Sequence, residues 1–330
     1  MSRSSPSRLL KFALVSLLGA YLTVNFGLAW IYTAALTHPA CPADIQPLAN
    51  IPPPEEHILQ TADGAEQVVP IRLRAWYYPS KNRAAVLAVG GLQGALGRSL
   101  PPVEFLVREG YGVLQLDSRA CATPTAPVTL GASEVQDAAA ALNFLQSRRE
   151  VDAARIGAFG FSMGGVTVIR AAARFPAIAA VVAEGGFHNL GEDMAERSSD
   201  QADAEQQFRA EQQFRAEQQF RAEQQFRSSL PRRFLLYNIA ATFWLQTKIN
   251  PWKVSPIDDL PNLSPRPILL IYGEGEQISG RAAEQFAAAG EPKGLWIVQG
   301  GDHGKNHIVA SGEYERRVLE FFDKYLLAPR

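Results

Sequence analysis

Residues 160–165, which read GFSMGG, constrain this chain more than any other part of its sequence. An apolar run beginning at Ile156 precedes them, and an alanine-rich helical pattern follows at once. A strand, a sharp turn and a helix around G-x-S-x-G predict strained backbone at Ser162, which lifts the serine hydroxyl clear of the sheet. G-x-S-x-G alone is common, but this context favours a nucleophile over a chance glycine-rich turn.

Short apolar strands alternate with helical patterns along the chain, which predicts a mainly parallel sheet with helices on both faces. An antiparallel hairpin over 56–78, with its turn at Asp63-Gly64, is expected first. The predicted strands and helices that follow are strands 84–89, 111–116, 156–161, 177–183, 267–272 and 294–299 and helices 101–109, 133–149 (with Ser133 as N-cap) and 314–327. The chain has 330 residues, which suits a single α/β domain, here 56–330.

The N-terminal region is typical of a membrane anchor. Residues 1–11 are polar and basic, and residues 12–36 carry no charge, which is long enough to span a bilayer. We favour an uncleaved single-pass anchor over a signal peptide, whose apolar core is shorter. Trp30 and Tyr32 suit the membrane interface, and the basic tail predicts a cytoplasmic N-terminus with the rest of the chain outside the cytoplasm, at the cell membrane.

Residues 37–55 form a proline-rich spacer that contains Cys41. Outside the cytoplasm Cys41 can pair with Cys121, although two free thiols are an equally open interpretation. No metal site is expected, because neither C-x-x-C nor a Cys/His cluster occurs. A formal net charge of -1 is not typical of a protein that binds nucleic acid. The sequence leaves the oligomeric state open.

Residues 189–256 are predicted to be a helical insertion before the last two strands. Within it, 204–227 repeat AEQQFR four times. With a period of six residues, successive phenylalanines point in three different directions on a helix. A tolerated low-complexity insert is therefore favoured over a lid or partner-binding helix. An apolar face follows, which we expect to cap a substrate pocket rather than touch the membrane: Leu235, Leu236, Ile239, Ala240, Phe243, Trp244 and Leu245.

A serine nucleophile needs a base, and the base needs an orienting carboxylate. His303 is the favoured base, because its glycine-flanked loop comes directly after the last predicted strand. His307 and His188 are the rivals. The remaining histidines, His38 and His57, precede the core.

The carboxylate is expected between the serine and the histidine in the chain. Glu276, just past the strand 267–272, is favoured, and Glu184 at the end of the preceding strand is the alternative; Glu274 is expected to cap the turn. An oxyanion needs two preorganised backbone N–H donors. We assign these to Met163, after the nucleophile, and Leu92, in the glycine-rich loop after strand 84–89.

These motifs, in this order, resemble the alpha/beta-hydrolase superfamily from about residue 56 to 327. The resemblance rests on GFSMGG, on LDSR at 116–119, on PILLIYGE at 267–274 and on GDHG at 301–304. It is closest to the membrane-anchored, esterase-like or serine aminopeptidase-like branch, and it implies a Ser162, Glu276, His303 triad that needs no cofactor. Three departures stand out: Gly90-Gly91 where His-Gly is usual, glutamate where aspartate is usual, and Ala120-Cys121-Ala122 in place of a His/Gly-rich turn.

The predicted function is hydrolysis of a small-molecule carboxylic ester through an acyl-enzyme. Serine peptidase and acyltransferase activities use the same machinery and remain alternatives. A second hypothesis is a non-catalytic, membrane-anchored hydrolase-like protein that binds a partner through its helical insertion.

Overall fold

A computed structural model describes residues 6–41, 51–61, 71–92, 103–196 and 230–328. Its centre is an eight-stranded sheet in the order β1-β2-β4-β3-β5-β6-β7-β8. The strands are β1 Glu55–Thr61, β2 Ile71–Tyr78, β3 Ala85–Val89, β4 Gly112–Leu116, β5 Ile156–Phe161, β6 Ala180–Glu184, β7 Ile268–Gly273 and β8 Lys293–Val298. β3 to β8 pair in parallel, and β1 and β2 form the antiparallel edge.

Helices precede, connect and follow these strands. They are α1 Pro6–Thr37, α2 Glu104–Arg108, α3 Arg119–Ala122, α4 Glu134–Ser147, α5 Met163–Arg174, α6 Leu190–Glu196, α7 Leu230–Thr247, α8 Pro256–Asp259, α9 Ala282–Ala288, α10 Asn306–Val309 and α11 Ser311–Phe322, with a π-helical turn at Asp323–Leu327. Two 3-10 segments, Pro251–Lys253 and Leu260–Leu263, flank α8. The α/β-hydrolase fold expected from the sequence is confirmed.

The sheet is covered on both faces, and β3 shows why. Its side chains point alternately to the two faces, and all five are buried. Leu87 packs into the core under α4, α5 and α9, while Val86 packs into the core under α2 and α11. A continuous apolar run such as AVLAV is therefore what a doubly covered parallel strand requires.

Local details differ from the sequence predictions. β6 begins at Ala180 rather than 177, because a turn with an Ile178 N–H to Phe175 carbonyl bond of 3.1 Å comes first. Ser133 stands at the N-cap of α4 but makes no side-chain capping bond. The Glu134 carboxylate joins the start of α4 to the preceding loop, because it accepts from the Thr129 N–H and hydroxyl. The Asp63-Gly64 turn and the AEQQFR repeat lie outside the described residues.

In the described part of the chain, one helix is long and apolar enough to cross a membrane. It is α1, in which the candidate span runs over Leu10–Thr37. Length and composition of this kind fit either a membrane anchor or a signal sequence. The orientation across the membrane remains a prediction.

Cys41 and Cys121 form a disulfide, with Cα atoms 5.4 Å apart. The bond joins the segment after α1 to α3, across a sequence separation of 80 residues. Of the two interpretations left open by the sequence, the structure has the paired one.

Replacing both cysteines by serine is expected to lower the free energy of unfolding by about 4 kcal/mol, because a loop of this length confines the unfolded chain. Urea unfolding of the full-length protein in detergent, with and without reductant, measures the effect. Reduced wild type should fall to the level of the Cys41→Ser, Cys121→Ser variant. A difference below about 1 kcal/mol between oxidised wild type and that variant would contradict the prediction.

Candidate active site

Ser162 lies between the end of β5 and the start of α5, with φ 56° and ψ -121°. A positive φ is strained for a residue with a Cβ, and the fold holds it there through neighbouring bonds. The Ser162 N–H donates to the Glu184 carbonyl at 2.7 Å, and the Ser162 carbonyl accepts from the Val166 N–H at 3.2 Å. The backbone around Ser162 therefore has the predicted strand–turn–helix conformation.

The beginning of α5 approaches the end of β3 and the loop after it very closely at Gly164. A Cβ placed there would lie 2.0 Å from the Val89 carbonyl oxygen and 2.6 Å from that of Gly90. Leu92, in the same loop, packs against the apolar cluster that contains Met163. The two residues assigned to the oxyanion hole are therefore close neighbours of the turn, and their role as donors stays a prediction.

Three side chains meet at the carboxyl edge of the sheet. His303 Nε2 lies 3.0 Å from Ser162 Oγ. His303 Nδ1 lies 2.6 Å from Glu276 Oε2. With Nδ1–H donating to the carboxylate, Nε2 is left as the acceptor for the serine hydroxyl. The arrangement can accept and return the serine proton.

Glu276 is held in place by further bonds. Its other oxygen, Oε1, accepts from the Gly273 N–H at 3.0 Å and from Asn306 Nδ2 at 3.3 Å. The glutamate is buried, whereas the side chain of His303 is 49% exposed. The carboxylate therefore has a fixed direction, and the imidazole remains accessible from solvent.

Gly185, directly after β6, leaves the space in which the imidazole and the carboxylate meet. Its φ is 62°, which favours glycine. A Cβ at this position would lie 3.0 Å from Glu276 Oε2 and 3.1 Å from His303 Nδ1. A larger residue here would push against the hydrogen bond itself.

Glu184, the alternative acid, lies behind Glu276. It is fully buried, and its carboxylate accepts from the Tyr314 hydroxyl at 2.5 Å and from Asn306 Nδ2 at 2.9 Å. Asn306 therefore bridges the two glutamates, and Glu276 is the one bonded to His303. Burial is the main reason that the pKa of Glu184 is raised to about 7; the nearby Glu276 adds to the rise, and the bonds from Tyr314 and Asn306 and the charge of His303 oppose it.

This raised pKa makes stability depend on pH. The folded state holds the Glu184 proton up to about pH 7, whereas the unfolded chain releases it near 4.5, so stability falls as the pH rises between those values. In Glu184→Gln the fall in melting temperature between pH 5 and pH 8 should be clearly smaller. Glu320→Gln, an exposed control on α11, should keep the wild-type slope. Parallel slopes for all three proteins would refute the assignment.

The other candidate histidines lie elsewhere. His188 Nε2 pairs with Glu192 at 3.0 Å. His307 lies beside Tyr314, with ring centroids 6.3 Å apart, and burial lowers its pKa. Glu274 accepts from the Gly300 N–H at 2.8 Å, which ties the turn after β7 to the loop before His303.

Asn306 and Tyr314 were missed by reasoning from the sequence. The signal was weak: Asn306 follows His303 by three residues, and Tyr314 was predicted only as the start of a helix. The LDSR motif, in contrast, has a structural role here. Asp117 pairs with Arg74 at 2.6 Å, and the buried Arg119 binds Asp137 of α4 through two nitrogens.

No group of three or more His, Cys, Asp and Glu side chains suited to a metal ion occurs among residues that the structure describes.

Comparison with known proteins identifies the class. The model of the alpha/beta hydrolase family matches residues 85–317, and the chain belongs to that family. It is 24% identical over 290 residues to uncharacterized protein PA2218 of Pseudomonas aeruginosa, covering 78% of each chain.

Solved structures share the fold. The esterase Pf2001 of Pyrococcus furiosus superposes with a TM-score of 0.60 at 20% identity, over 88% of this chain and 98% of the esterase. The alpha/beta hydrolase GrgF of Penicillium sp. sh18 gives 0.60 at 16% identity, over 84% and 100%. PA2218 itself gives 0.51 at 20% identity, over 86% and 100%. Together with the family match, these structures support a hydrolase.

Proposed function

We propose that the protein is a serine hydrolase that cleaves carboxylic esters with Ser162, His303 and Glu276. The observation that carries the proposal is the continuous hydrogen-bond chain from Ser162 Oγ through the two imidazole nitrogens to Glu276. A nucleophile, a base and an orienting carboxylate in this order are what acyl transfer to serine requires.

In the proposed reaction, Ser162 Oγ attacks the acyl carbonyl while His303 Nε2 takes its proton. Glu276 stabilises the imidazolium, and the N–H groups of Met163 and Leu92 donate to the oxyanion. His303 then gives the proton to the departing alcohol, which leaves the acyl group on Ser162. A water molecule, deprotonated by His303, releases the acid and restores the enzyme.

The apolar cluster beside the nucleophile favours an ester with an apolar acyl or alcohol group. Met163 and Val166 of α5 pack there with Phe187 and with Phe243 of α7. Because α7 belongs to the predicted insertion, this packing supports a role of the insertion in shaping the pocket. Peptidase and acyltransferase activities would use the same residues and differ in the acceptor and the leaving group.

We also propose that the hydrolase domain lies outside the cytoplasm, held by α1 as a single-pass anchor. The Cys41–Cys121 disulfide supports an oxidising compartment. The basic residues Arg3, Arg8 and Lys11, which precede the uncharged residues 12–36, support a cytoplasmic N-terminus.

Labelling with a fluorophosphonate probe tests the nucleophile directly. The full-length protein in detergent should be labelled, and Ser162→Ala should not. Ser255→Ala removes a buried serine outside the hydrogen-bond chain and should be labelled like wild type. Well-folded wild type that is not labelled would overturn the proposal and favour the non-catalytic hypothesis. That hypothesis is tested by deleting residues 204–227 and measuring the binding of a partner.

A further inference from the structure

Glu184, the last residue of β6, is connected to both ends of the hydrogen-bond chain of the site. Its backbone carbonyl accepts from the Ser162 N–H at 2.7 Å. Its side chain reaches Glu276 through one intermediate: Asn306 Nδ2 lies 2.9 Å from Glu184 Oε1 and 3.3 Å from Glu276 Oε1. Because β6 lies between β5 and β7 in the sheet, a residue at its end can contact the segments that follow both neighbours.

The side-chain amide of Asn306 lies between the two glutamates for the sake of its N–H groups. Carboxyl oxygens need donors, and the amide nitrogen supplies two. Asn306 is fully buried, and its Oδ1 has no hydrogen-bond partner in any of the described segments. A buried acceptor without a partner destabilises a folded protein. This cost indicates that the amide has a role other than stability of the core.

Tyr314 of α11 holds the other side of Glu184. Its hydroxyl lies 2.5 Å from Glu184 Oε2, and both residues are buried. Burial is the main reason that the pKa of Glu184 is raised to about 7. In mildly acidic solution the carboxyl is protonated and can donate to the Tyr314 oxygen, while its other oxygen still accepts from Asn306. Both hydrogen bonds of Glu184 are therefore kept in either protonation state.

These contacts fix the direction of the Glu276 carboxylate. Its Oε1 is held by the Gly273 N–H and by Asn306, which leaves Oε2 for His303 Nδ1 at 2.6 Å. The bond from Gly273 lies within the turn that carries the glutamate. The bond from Asn306, in contrast, ties the carboxylate to β6 through Glu184. Without it, the carboxylate could rotate and the imidazole would lose its orientation.

We propose that three buried side chains, those of Tyr314, Glu184 and Asn306, are positioning residues for the proposed reaction. They hold the Glu276 carboxylate in the direction that keeps the His303 imidazole oriented for proton transfer. They act through Glu276 and not on the substrate. This inference rests on the proposed function, because it concerns the geometry of the same hydrogen-bond chain.

Hydrolysis of a p-nitrophenyl ester by the full-length protein in detergent tests the roles of Asn306 and Glu184. Asn306→Ala should lower kcat about 10-fold to 100-fold and leave KM within about twofold, because a misplaced base impairs the transition state and not substrate binding. Glu184→Ala should fall to a similar kcat. Glu184→Gln should retain most of the wild-type kcat, because its amide can still accept from Asn306 and donate to Tyr314.

A double variant tests whether Glu184 acts through Asn306. Combining Glu184→Ala with Asn306→Ala should lower kcat no further than Asn306→Ala alone. Losses that multiply in the double variant would overturn the inference, as would a wild-type kcat in Asn306→Ala.

Two buried tyrosines provide a matched pair of variants. Tyr314→Phe removes only the hydroxyl bonded to Glu184 and should lower kcat by a smaller factor than Asn306→Ala. Tyr111 belongs to the same apolar cluster, and its hydroxyl also donates to a carboxylate, that of Asp323 at 2.7 Å. Tyr111→Phe should keep the wild-type kcat. Equal losses in the two tyrosine variants would contradict the proposed role of Tyr314.

Proton NMR at low temperature gives a readout that needs no turnover. The proton between His303 Nδ1 and Glu276 should give a downfield signal, assigned by its absence in His303→Gln. The signal should persist in Glu184→Gln and Tyr111→Phe and be shifted or broadened in Asn306→Ala and, to a smaller extent, in Tyr314→Phe. An unchanged signal in both of the last two variants would overturn the inference whether or not the protein hydrolyses esters.

The two proposals can therefore fail separately. Wild type that is not labelled by the fluorophosphonate probe would contradict the proposed function, and the NMR comparison would still test the positioning of Glu276. If Asn306→Ala does not fold, Tyr314→Phe beside Tyr111→Phe decides the result by the same two measurements.

Discussion

Ser162→Ala is expected to reduce ester hydrolysis by about 10⁴-fold or more, since the proposed nucleophile lies 3.0 Å from His303 Nε2 and is the group that becomes acylated. The measurement is turnover of p-nitrophenyl esters from short to long acyl chains. It requires the full-length protein in detergent, because a fragment that begins near residue 55 loses Cys41 and the contacts of α1 with α7.

The control variants separate catalysis from folding. His303→Ala should lose as much activity as Ser162→Ala, and the double variant should lose no more, because the two residues act as a unit. His57→Gln removes a histidine that also pairs with a glutamate, at 3.1 Å from Glu55, but on the edge strand β1. It should retain wild-type turnover. An active Ser162→Ala variant would exclude the proposed mechanism.

Gly164→Ala is expected to have the largest effect on stability. The added Cβ would lie 2.0 Å from the Val89 carbonyl oxygen, and both groups belong to the backbone of packed elements. Neither group can move without separating α5 from the end of β3. We expect a loss of about 4 kcal/mol or more in the free energy of unfolding, or a protein that fails to fold.

Gly312→Ala is the matched control, because nothing lies within 4 Å of a Cβ added there, near the start of α11. That change should be neutral or stabilise by up to about 1 kcal/mol, as for alanine in place of glycine in a helix. Denaturant unfolding and expression yield compare the two variants. Equal stability of both would mean that the close approach at Gly164 does not exist.

Much of the fold could be predicted because its signals are local. The run AVLAV must be buried on both sides, and β3 is. GFSMGG specified the strand, the turn and the helix around Ser162, and the loop after the last strand pointed to His303. These patterns depend on residues a few positions apart, which a sequence displays directly.

Choices between equivalent side chains could not be made in this way. Glu184 ends β6 and Glu276 follows β7, and both strands end at the same edge of the sheet. The sequence favours Glu276 but leaves Glu184 open as the alternative. In the folded chain, Glu276 contacts His303, and Glu184 is enclosed by Asn306 and Tyr314. The apolar face of α7 was expected to cap a pocket; Phe243 is buried toward the domain, whereas Trp244 is exposed.

By itself, the amino-acid order determined the class of fold, the position of the strained serine turn, the loop that carries the histidine and the long apolar N-terminal helix. The tertiary structure alone decided which glutamate meets the histidine, that Cys41 and Cys121 pair, and that α1 packs on α7 through residues as distant as Thr33 and Thr242, which are 209 positions apart. The physical reason is range. Periodicity and turn chemistry act over a few residues, whereas contacts between distant segments depend on how whole elements pack.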